Sequence, residues 1–333
     1  MKPQSDHSRL TTLPEAIAEL VTDGSHLSIG GFTINRNPMA AVYEIIRQQK
    51  RELHLYAHSN GQGIDELVGA GCVRRLEIAY AGTGRFAPTC VRFRQAVESG
   101  ELQVEDYSNY QMTLRFLAGA MGVPFLPTRS GLGTDILTKW GFSRKERQQD
   151  DRLPEHKLAT IDNPFGDWGG AGKLILVPAI NPDVTIIHVQ EADRFGNARI
   201  AGLTFADIEQ AKAARNLIIT CERLVDDDFL RREPERNQIS FLHTDAVVVL
   251  PWGAYPTACY GVYDYDPDYL HRYRETARNE KAYQSYLQEK IITPEDHFAF
   301  LARQDKARLQ RLVADPETGY ARGLDRKTQE MTP

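Results

Sequence analysis

The sequence predicts an α/β protein with one open, largely parallel sheet, helices on both faces of that sheet, and a helical extension at the carboxyl terminus. Short segments rich in Val, Ile and Leu alternate with amphipathic segments through most of the 333 residues, as in strands joined by crossover helices. Nearly every predicted strand ends in Gly, Asn, Thr or an acidic residue, which is typical of the ligand-binding edge of such sheets. From residue 267 onward the chain becomes charged, aromatic and mostly helical.

The predicted elements follow from hydrophobic spacing, with period 2 or continuous apolar segments for strands and period 3.6 for helices. The strands are Leu27–Ile29, Leu53–Ala57, Leu102–Val104, Leu174–Val177, Val184–Val189, Asn216–Cys221 and Ala246–Leu250, and a further strand lies within Val73–Ala81. The helices are Pro14–Leu20, Pro38–Arg47, Ile64–Ala70, Pro88–Ser99, Thr113–Met121 and Thr204–Ala214, followed by the mostly helical segment Pro267–Val313. Residues 135–168 are polar and predicted to be irregular.

Two helix starts carry capping signals. Asn37 is the predicted N-cap residue before Pro38, and Thr204 is the predicted N-cap of a capping box completed by Asp207. No Pro/Gly/Ser linker divides the chain. We therefore expect one α/β domain over residues 1–266, with residues 267–333 as its helical extension and a loosely held tail from Asp315.

Composition excludes several classes of function. The formal net charge of −5 leaves no basic excess to displace counterions from nucleic acid. No apolar segment is long enough to span a bilayer, and the amino end lacks the apolar segment of a secretory leader. These features predict a cytoplasmic protein that binds neither nucleic acid nor a membrane.

The cysteines and histidines do not predict a metal site. Cys72, Cys90, Cys221 and Cys259 are far apart, without the spacing of zinc ligands, and are interpreted as reduced structural residues. His188 lies within a strand-like segment, which favours a satisfied core histidine over a catalytic one.

Three glycine-containing turns follow predicted strands. Gly30-Gly31, Ser59-Asn-Gly-Gln-Gly63 and Gly82-Thr-Gly84 let the backbone turn sharply or approach a ligand closely. Such turns are often structural only, but their N–H groups also suit a phosphate, a carboxylate or a developing oxyanion. The chain lacks G-x-G-x-x-G, G-x-x-x-x-G-K-[ST] and G-x-S-x-G, so the common dinucleotide, nucleoside-triphosphate and serine-hydrolase sites lack their motifs.

Several segments resemble, in order, the A subunits of glutaconate CoA-transferases, within the family I CoA-transferases. They are Ile29-Gly-Gly-Phe-Thr33, Val104-Glu-Asp-Tyr-Ser108, Gly122-Val-Pro-Phe-Leu-Pro127, Ile161-Asp-Asn-Pro-Phe165, Asp183-Val-Thr-Ile-Ile-His188 and Cys259-Tyr-Gly-Val-Tyr-Asp-Tyr-Asp266. The first and last of these are long and specific, and the match extends over most of the chain.

The resemblance implies an enzyme that moves coenzyme A from an acyl-CoA to a short dicarboxylic acid such as glutaconate. In such enzymes the thioester is attacked by a glutamate of the B subunit, which becomes a glutamyl-CoA thioester. The present chain would then supply walls and donors to a hetero-oligomer of A and B chains, with no cofactor beyond the CoA thioester substrate. The amides of Gly30, Gly31 and Phe32 are the candidate oxyanion donors. The candidate substrate-binding residues are Asn60, Gly61, Thr83, Arg129, Ser130 and Gly131.

Two segments depart from the glutaconate pattern. Gly82-Thr-Gly-Arg85 differs in composition, and Thr128-Arg-Ser-Gly-Leu-Gly133 is closer to related A subunits that hydrolyse CoA-linked rings. In those hydrolases the segment resembling Val104-Glu-Asp106 carries a catalytic glutamate, so Glu105 is a candidate general base. Alternatively, Glu105 is a surface or capping acid before Ser108, with Asp106 the better capping residue.

Arg129 has two interpretations as well, either a bidentate carboxylate ligand or a solvent-facing loop residue. Three functions therefore remain open from the sequence. The chain is part of a CoA-transferase, part of a ring-opening CoA-thioester hydrolase that uses Glu105 and Arg129, or an acyl-CoA-binding module without activity.

Overall fold

The fold is known from a computed structural model that describes residues 8–170 and 172–331. The strands of the amino-terminal half are β1 (His26–Ile29), β2 (Phe32–Thr33), β3 (Leu53–Asn60), β4 (Val73–Ala81), β5 (Gln103–Asp106) and β6 (Phe125–Thr128). Those of the remainder are β7 (Ala159–Asp162), β8 (Lys173–Pro178), β9 (Val184–Ala192), β10 (Ala198–Arg199), β11 (Asn216–Leu224), β12 (Ala246–Val249), β13 (Leu324–Asp325) and β14 (Glu330–Met331).

The helices before the carboxyl-terminal region are α1 (Leu13–Leu20), α2 (Met39–Arg47), α3 (Gln62–Gly69), α4 (Val91–Ser99), α5 (Asn109–Met121), α6 (Arg144–Gln149), α7 (Asp207–Ala213) and α8 (Asp227–Arg231). The carboxyl-terminal ones are α9 (Pro267–Ala277), α10 (Glu280–Tyr286), α11 (His297–Ala302) and α12 (Lys306–Leu312), with a π-helical segment over Leu287–Ile292. Short 3₁₀ turns occur at Asp135–Leu137, Trp168–Gly170 and Pro234–Arg236.

The large sheet confirms the predicted architecture. Its main path runs β12-β11-β9-β1-β3-β4-β5, and every neighbouring pair on this path is parallel. β2 adds to β3 in parallel, and the short β10 pairs antiparallel with β9. Alternation of strands and helices in the sequence therefore indicated the correct fold class.

Apolar side chains cover both faces of this sheet. On one face, Ile17, Val42, Ile64 and residues of α9 and α10 pack together in the largest buried cluster. On the other face, α5 and α7 pack against the sheet, with Phe116 fully buried. Layers on both sides explain why the central strands β1 and β9 are almost completely buried, including their polar residues.

A second, antiparallel sheet in the order β6-β8-β7 was not predicted. Residues 135–168 were predicted to be irregular, whereas this region contains α6 and β7. The burial pattern of β7 is almost entirely exposed, so its sequence lacks the apolar alternation by which strands are recognised.

Both predicted caps were wrong. α2 begins after Pro38, and the Asn37 side chain instead accepts a hydrogen bond from Gly63 N. α7 has no side-chain cap, because Asp207 is used in a long-range ion pair. The proposal that Asp106 caps the following helix was also wrong, since α5 is capped by Ser108.

The carboxyl-terminal region is helical, as predicted. However, the residues after Asp315 are bound to the rest of the chain, rather than loosely held, up to Met331. Arg322 pairs with Asp315 and Arg326 pairs with the buried Asp264, while β13 and β14 form a short hairpin.

The four cysteines lie buried and unpaired, which confirms their structural interpretation. Burial raises the pKa of Cys72 to about 11 and that of Cys221 to about 12. Among the described residues, no helix combines the length and apolar character that crossing a bilayer requires.

Candidate active site

The glycine turn after β1 lies at the topological switch point of the large sheet. β1 pairs with β3 on one side and with β9 on the other, so the chain connections diverge from this position. In open parallel sheets such divergence leaves a crevice at the carboxyl ends of the strands, where ligands bind. Gly30 and Gly31 directly follow β1 at this crevice.

The loop from Gly31 to Arg36 is tight and strained. Gly31 has φ +84°, and a Cβ there would lie 2.6 Å from the carbonyl oxygens of Asn35 and Arg36. Thr33 and Arg36 also have positive φ, as does Phe205, whose ring stacks on Phe32 in this loop. Non-glycine residues in this conformation each cost about 1–3 kcal/mol and concentrate at functional sites.

A buried ion pair holds this loop in place. Asp207 Oδ2 lies 2.6 Å from Arg36 Nη1, and neither side chain is more than 3% exposed. Asp207 Oδ1 accepts a hydrogen bond from Gly31 N, and Arg36 donates to the carbonyl oxygens of His188 and Leu203. Because a buried charge without its partner is strongly unfavourable, this pair ties the loop to α7 and β9.

The predicted contact residues Asn60, Gly61 and Thr83 lie beside the same loop. Asn60 Nδ2 donates to Gly30 O at 3.0 Å. A Cβ on Gly61 would lie 2.7 Å from Thr33 O and 2.8 Å from the Thr83 methyl group, so only glycine fits this contact. The turns after β1, β3 and β4 therefore form one continuous wall, as expected from the sequence.

Ser130 and Gly131 contact α5, whereas Arg129 contacts a different loop. Gln111, in the first turn of α5, donates to Ser130 O at 3.1 Å, and a Cβ on Gly131 would lie 2.6 Å from the same amide nitrogen. Arg129 Nη1 instead donates to Gly169 O at 2.6 Å. No hydrogen bond within residues 8–170 and 172–331 joins Arg129 to the wall.

The three predicted oxyanion donors are all engaged within the chain. Gly30 N donates to Ile186 O, Gly31 N donates to Asp207, and Phe32 N donates to Asn35 O. None of the three amides is free in this conformation. The geometry therefore gives no support to the oxyanion role, which stays a prediction.

Glu105 is neither a surface acid nor a free base. Its side chain is fully buried and forms an ion pair with Arg147, which is equally buried. The other oxygen accepts hydrogen bonds from Gly141 N at 2.9 Å and Phe142 N. The surface or capping interpretation was wrong, and both oxygens of this buried carboxylate are bonded to the chain rather than turned toward solvent.

His188 is a satisfied core histidine, as the sequence favoured. Its Nδ1 lies 2.8 Å from Thr220 Oγ1 and its Nε2 lies 2.8 Å from Glu222 Oε1. Glu222 also accepts hydrogen bonds from Tyr263 and from Trp252 N. His188, Glu222 and Cys259 are spaced closely enough to hold a metal ion, but the imidazole and the carboxylate are already fully hydrogen-bonded.

A cavity of about 530 Å³ opens beside this network, at the carboxyl ends of β9 and β11. Its lining includes Glu191, Arg223, Trp252 and Tyr260, and Arg223 forms an ion pair with Glu191. Its volume is within the range of small-molecule sites, and it lies at the same edge of the sheet as the glycine wall.

His58 and Phe205 were not predicted as site residues from the sequence, and Phe32 was predicted only for its backbone amide. The Phe32 and Phe205 rings stack with centroids 4.5 Å apart, and the His58 ring lies 5.6 Å from Phe32. A local signal for His58 existed, because it immediately precedes the Ser59–Gly63 turn. Phe205 is far away in sequence and carried no such signal.

Comparison with known proteins agrees with this geometry. The family model described as Coenzyme A transferase matches residues 10–250. The A subunit of glutaconate CoA-transferase from Acidaminococcus fermentans is 37% identical over 313 residues, covering 94% of this chain and 97% of that protein. The A subunit of 3-oxoadipate CoA-transferase from Pseudomonas knackmussii is 32% identical, covering 89% of this chain and 98% of that protein.

A solved structure extends the agreement to the whole fold. The crystal structure of glutaconate coenzyme A-transferase from Acidaminococcus fermentans superimposes with a TM-score of 0.90 at 36% identity, covering 97% of this chain and 100% of that chain. On the strength of the sequence match, the parallel sheet and the glycine wall at its switch point, this chain belongs to the coenzyme A transferase family.

Proposed function

We propose that this chain is the A subunit of a heteromeric CoA-transferase that moves coenzyme A from an acyl-CoA to a short dicarboxylic acid. The B subunit supplies the glutamate that attacks the thioester and carries coenzyme A as a glutamyl thioester. This chain supplies the wall formed by the turns after β1, β3 and β4. The reaction needs no cofactor beyond the CoA thioester.

The proposal rests on the burial and hydrogen bonding of three carboxylates of this chain. Glu105, Asp207 and Glu222, at or beside the carboxyl edge of the sheet, are all buried, and each accepts two or more hydrogen bonds from the chain itself. A nucleophilic carboxylate must instead be able to reach the thioester carbon. A wall of small residues without a free carboxylate at these three positions suits a reaction whose nucleophile enters from a second chain.

The class of acid is proposed from the relatives. The two relatives described above are named for glutaconate and 3-oxoadipate, both short dicarboxylic acids. The hydrolase alternative has weaker support, because Glu105 and Arg129 are engaged with separate partners.

The test is co-purification of this chain with the product of a neighbouring B-subunit reading frame, followed by an exchange assay. The complex is expected to transfer coenzyme A from acetyl-CoA to glutaconate, whereas the isolated chain is expected to be inactive. Mass spectrometry after brief incubation with acyl-CoA should place the thioester adduct on a glutamate of the partner.

Three results would contradict the proposal. They are full transfer by the isolated chain, an adduct on this chain, and release of free coenzyme A at an equal rate without an acceptor acid. The last result would favour the hydrolase.

A further inference from the structure

His58 is a titratable side chain at the carboxyl end of β3, directly before the turn that carries Asn60 and Gly61. It is half-buried and lies beside the Phe32 ring, on the loop that follows Gly31. No function has been assigned above to His58.

One hydrogen bond fixes its tautomer. His58 Nε2 lies 3.1 Å from the backbone carbonyl oxygen of Asn109, the first residue of α5. A carbonyl oxygen can only accept, so Nε2 carries the proton. In the neutral ring, Nδ1 is therefore a bare acceptor.

That acceptor has no partner. Among the described residues nothing donates a hydrogen bond to His58 Nδ1, and the atom is shielded from solvent. Burial lowers the pKa of His58, although the carbonyl of Asn109 and the charge of Asp207 act in the opposite direction. Asp207 is itself paired with Arg36, so the ring is neutral near pH 7. Leaving a buried acceptor unpaired is unfavourable, and a donor on a ligand would remove that penalty.

We propose that His58 Nδ1 accepts a hydrogen bond from the pantetheine arm of coenzyme A, making His58 a substrate-contacting residue of this chain. The inference rests on the proposed function, which brings two kinds of ligand to this edge. A carboxylate substrate has only acceptor oxygens at neutral pH and cannot satisfy Nδ1. The pantetheine arm carries two amide N–H groups and, in free coenzyme A, a thiol. Because only the pantetheine arm offers hydrogen-bond donors to Nδ1, we place this arm, rather than the acid, beside His58.

Two substitutions separate the two ring nitrogens. In His58→Gln the side-chain amide nitrogen reaches the position of Nε2, so the bond to Asn109 is retained and the Nδ1 acceptor is lost. In His58→Asn the amide oxygen takes the position of Nδ1, so the acceptor is retained and the bond to Asn109 is lost. The two variants are therefore matched controls for each other.

The experiment is calorimetric titration of the co-purified two-chain complex with coenzyme A at pH 7.5. We expect His58→Gln to weaken binding about 3- to 10-fold, the effect of one neutral hydrogen bond. His58→Asn is expected to bind within about 2-fold of wild type, since it keeps an acceptor of the same strength class.

Wild-type affinity in His58→Gln would overturn the inference, as would equal weakening in both variants, which would indicate a purely structural role. The failure of wild-type complex to bind coenzyme A would instead contradict the proposed function. The two failures are thus distinguishable in one titration series.

Discussion

A buried carboxyl group on α3 is predicted to make the stability of the fold depend on pH. Glu66 is fully buried, and its Oε1 accepts hydrogen bonds from Gln62 at 2.8 Å and Tyr286 at 2.6 Å. Its Oε2 has no partner among the described residues. Burial, opposed by these hydrogen bonds, raises the pKa of Glu66 to about 8 from an ordinary value of 4.5. The folded protein therefore holds Glu66 protonated at neutral pH.

The sign and size of the effect follow from this shift. Below about pH 4.5 both the folded and the unfolded chain hold the proton, and the contribution to stability is fully present. As pH rises toward 8, only the unfolded chain loses the proton, so the contribution is progressively lost. At about 1.4 kcal/mol per pH unit, the loss between pH 5 and pH 8 is about 4 kcal/mol.

Glu66→Gln removes this titration while keeping an oxygen to accept both hydrogen bonds. An unfolding entropy of about 2.1 cal/mol/K per residue gives about 0.7 kcal/mol/K for a chain of this length, so 4 kcal/mol corresponds to roughly 6 °C. We expect the thermal midpoints of wild type and variant to agree at pH 5 and to differ by that amount at pH 8, with the variant higher.

The assay is differential scanning calorimetry at half-unit steps of pH. The neighbouring Asp65, whose pKa burial raises to about 6, is present in both proteins, so its contribution cancels in the difference. Parallel midpoint curves for the two proteins between pH 5 and pH 8 would refute the assignment of a buried proton to Glu66.

Three further substitutions test the candidate site. Asp207→Asn leaves the buried Arg36 without its counter-charge, so we expect a loss of about 3–5 kcal/mol in unfolding free energy together with loss of transfer; a stable and fully active variant would contradict the clamp. Glu105→Gln is expected to cost about 3 kcal/mol of stability but to leave turnover per folded complex unchanged, and loss of turnover at full folding would revive its catalytic role. Gly61→Ala should abolish transfer by steric conflict within the wall. The control is Gly100→Ala, where the added Cβ meets open space at φ +77°, so this variant should only lose about 1 kcal/mol of stability. Equal activity of the two variants would contradict the assignment of the wall to the active site.

The sequence alone determined the fold class because its signal is local. The strand Val73–Ala81, which is followed by a helix, is encoded by hydrophobic spacing within a few residues, and a strand was predicted within this segment. The alternation of such units implies parallel pairing. Turn chemistry is local too, so the glycine turns after β1, β3 and β4 were predicted as one edge of the sheet.

Strands with exposed faces escaped prediction for the same reason. β6 and β7 lack a buried alternating face, so nothing in their local sequence distinguishes them from loops. Both strands are defined by their pairing with β8. β6 lies more than 40 residues before β8 in the sequence, so this pairing depends on tertiary contacts.

The roles of charged and polar residues were decided only by tertiary structure. Asp207 has the sequence context of a capping residue, yet it pairs with Arg36, 171 positions earlier. Glu105 reads as an exposed strand-end acid until Arg147 and the Gly141 amide enclose it. The physical reason is that desolvation and pairing depend on which distant segments meet a side chain, and local spacing carries no information about that meeting. The sequence therefore located the edge of the site, and only the folded chain showed which of its groups are free to act.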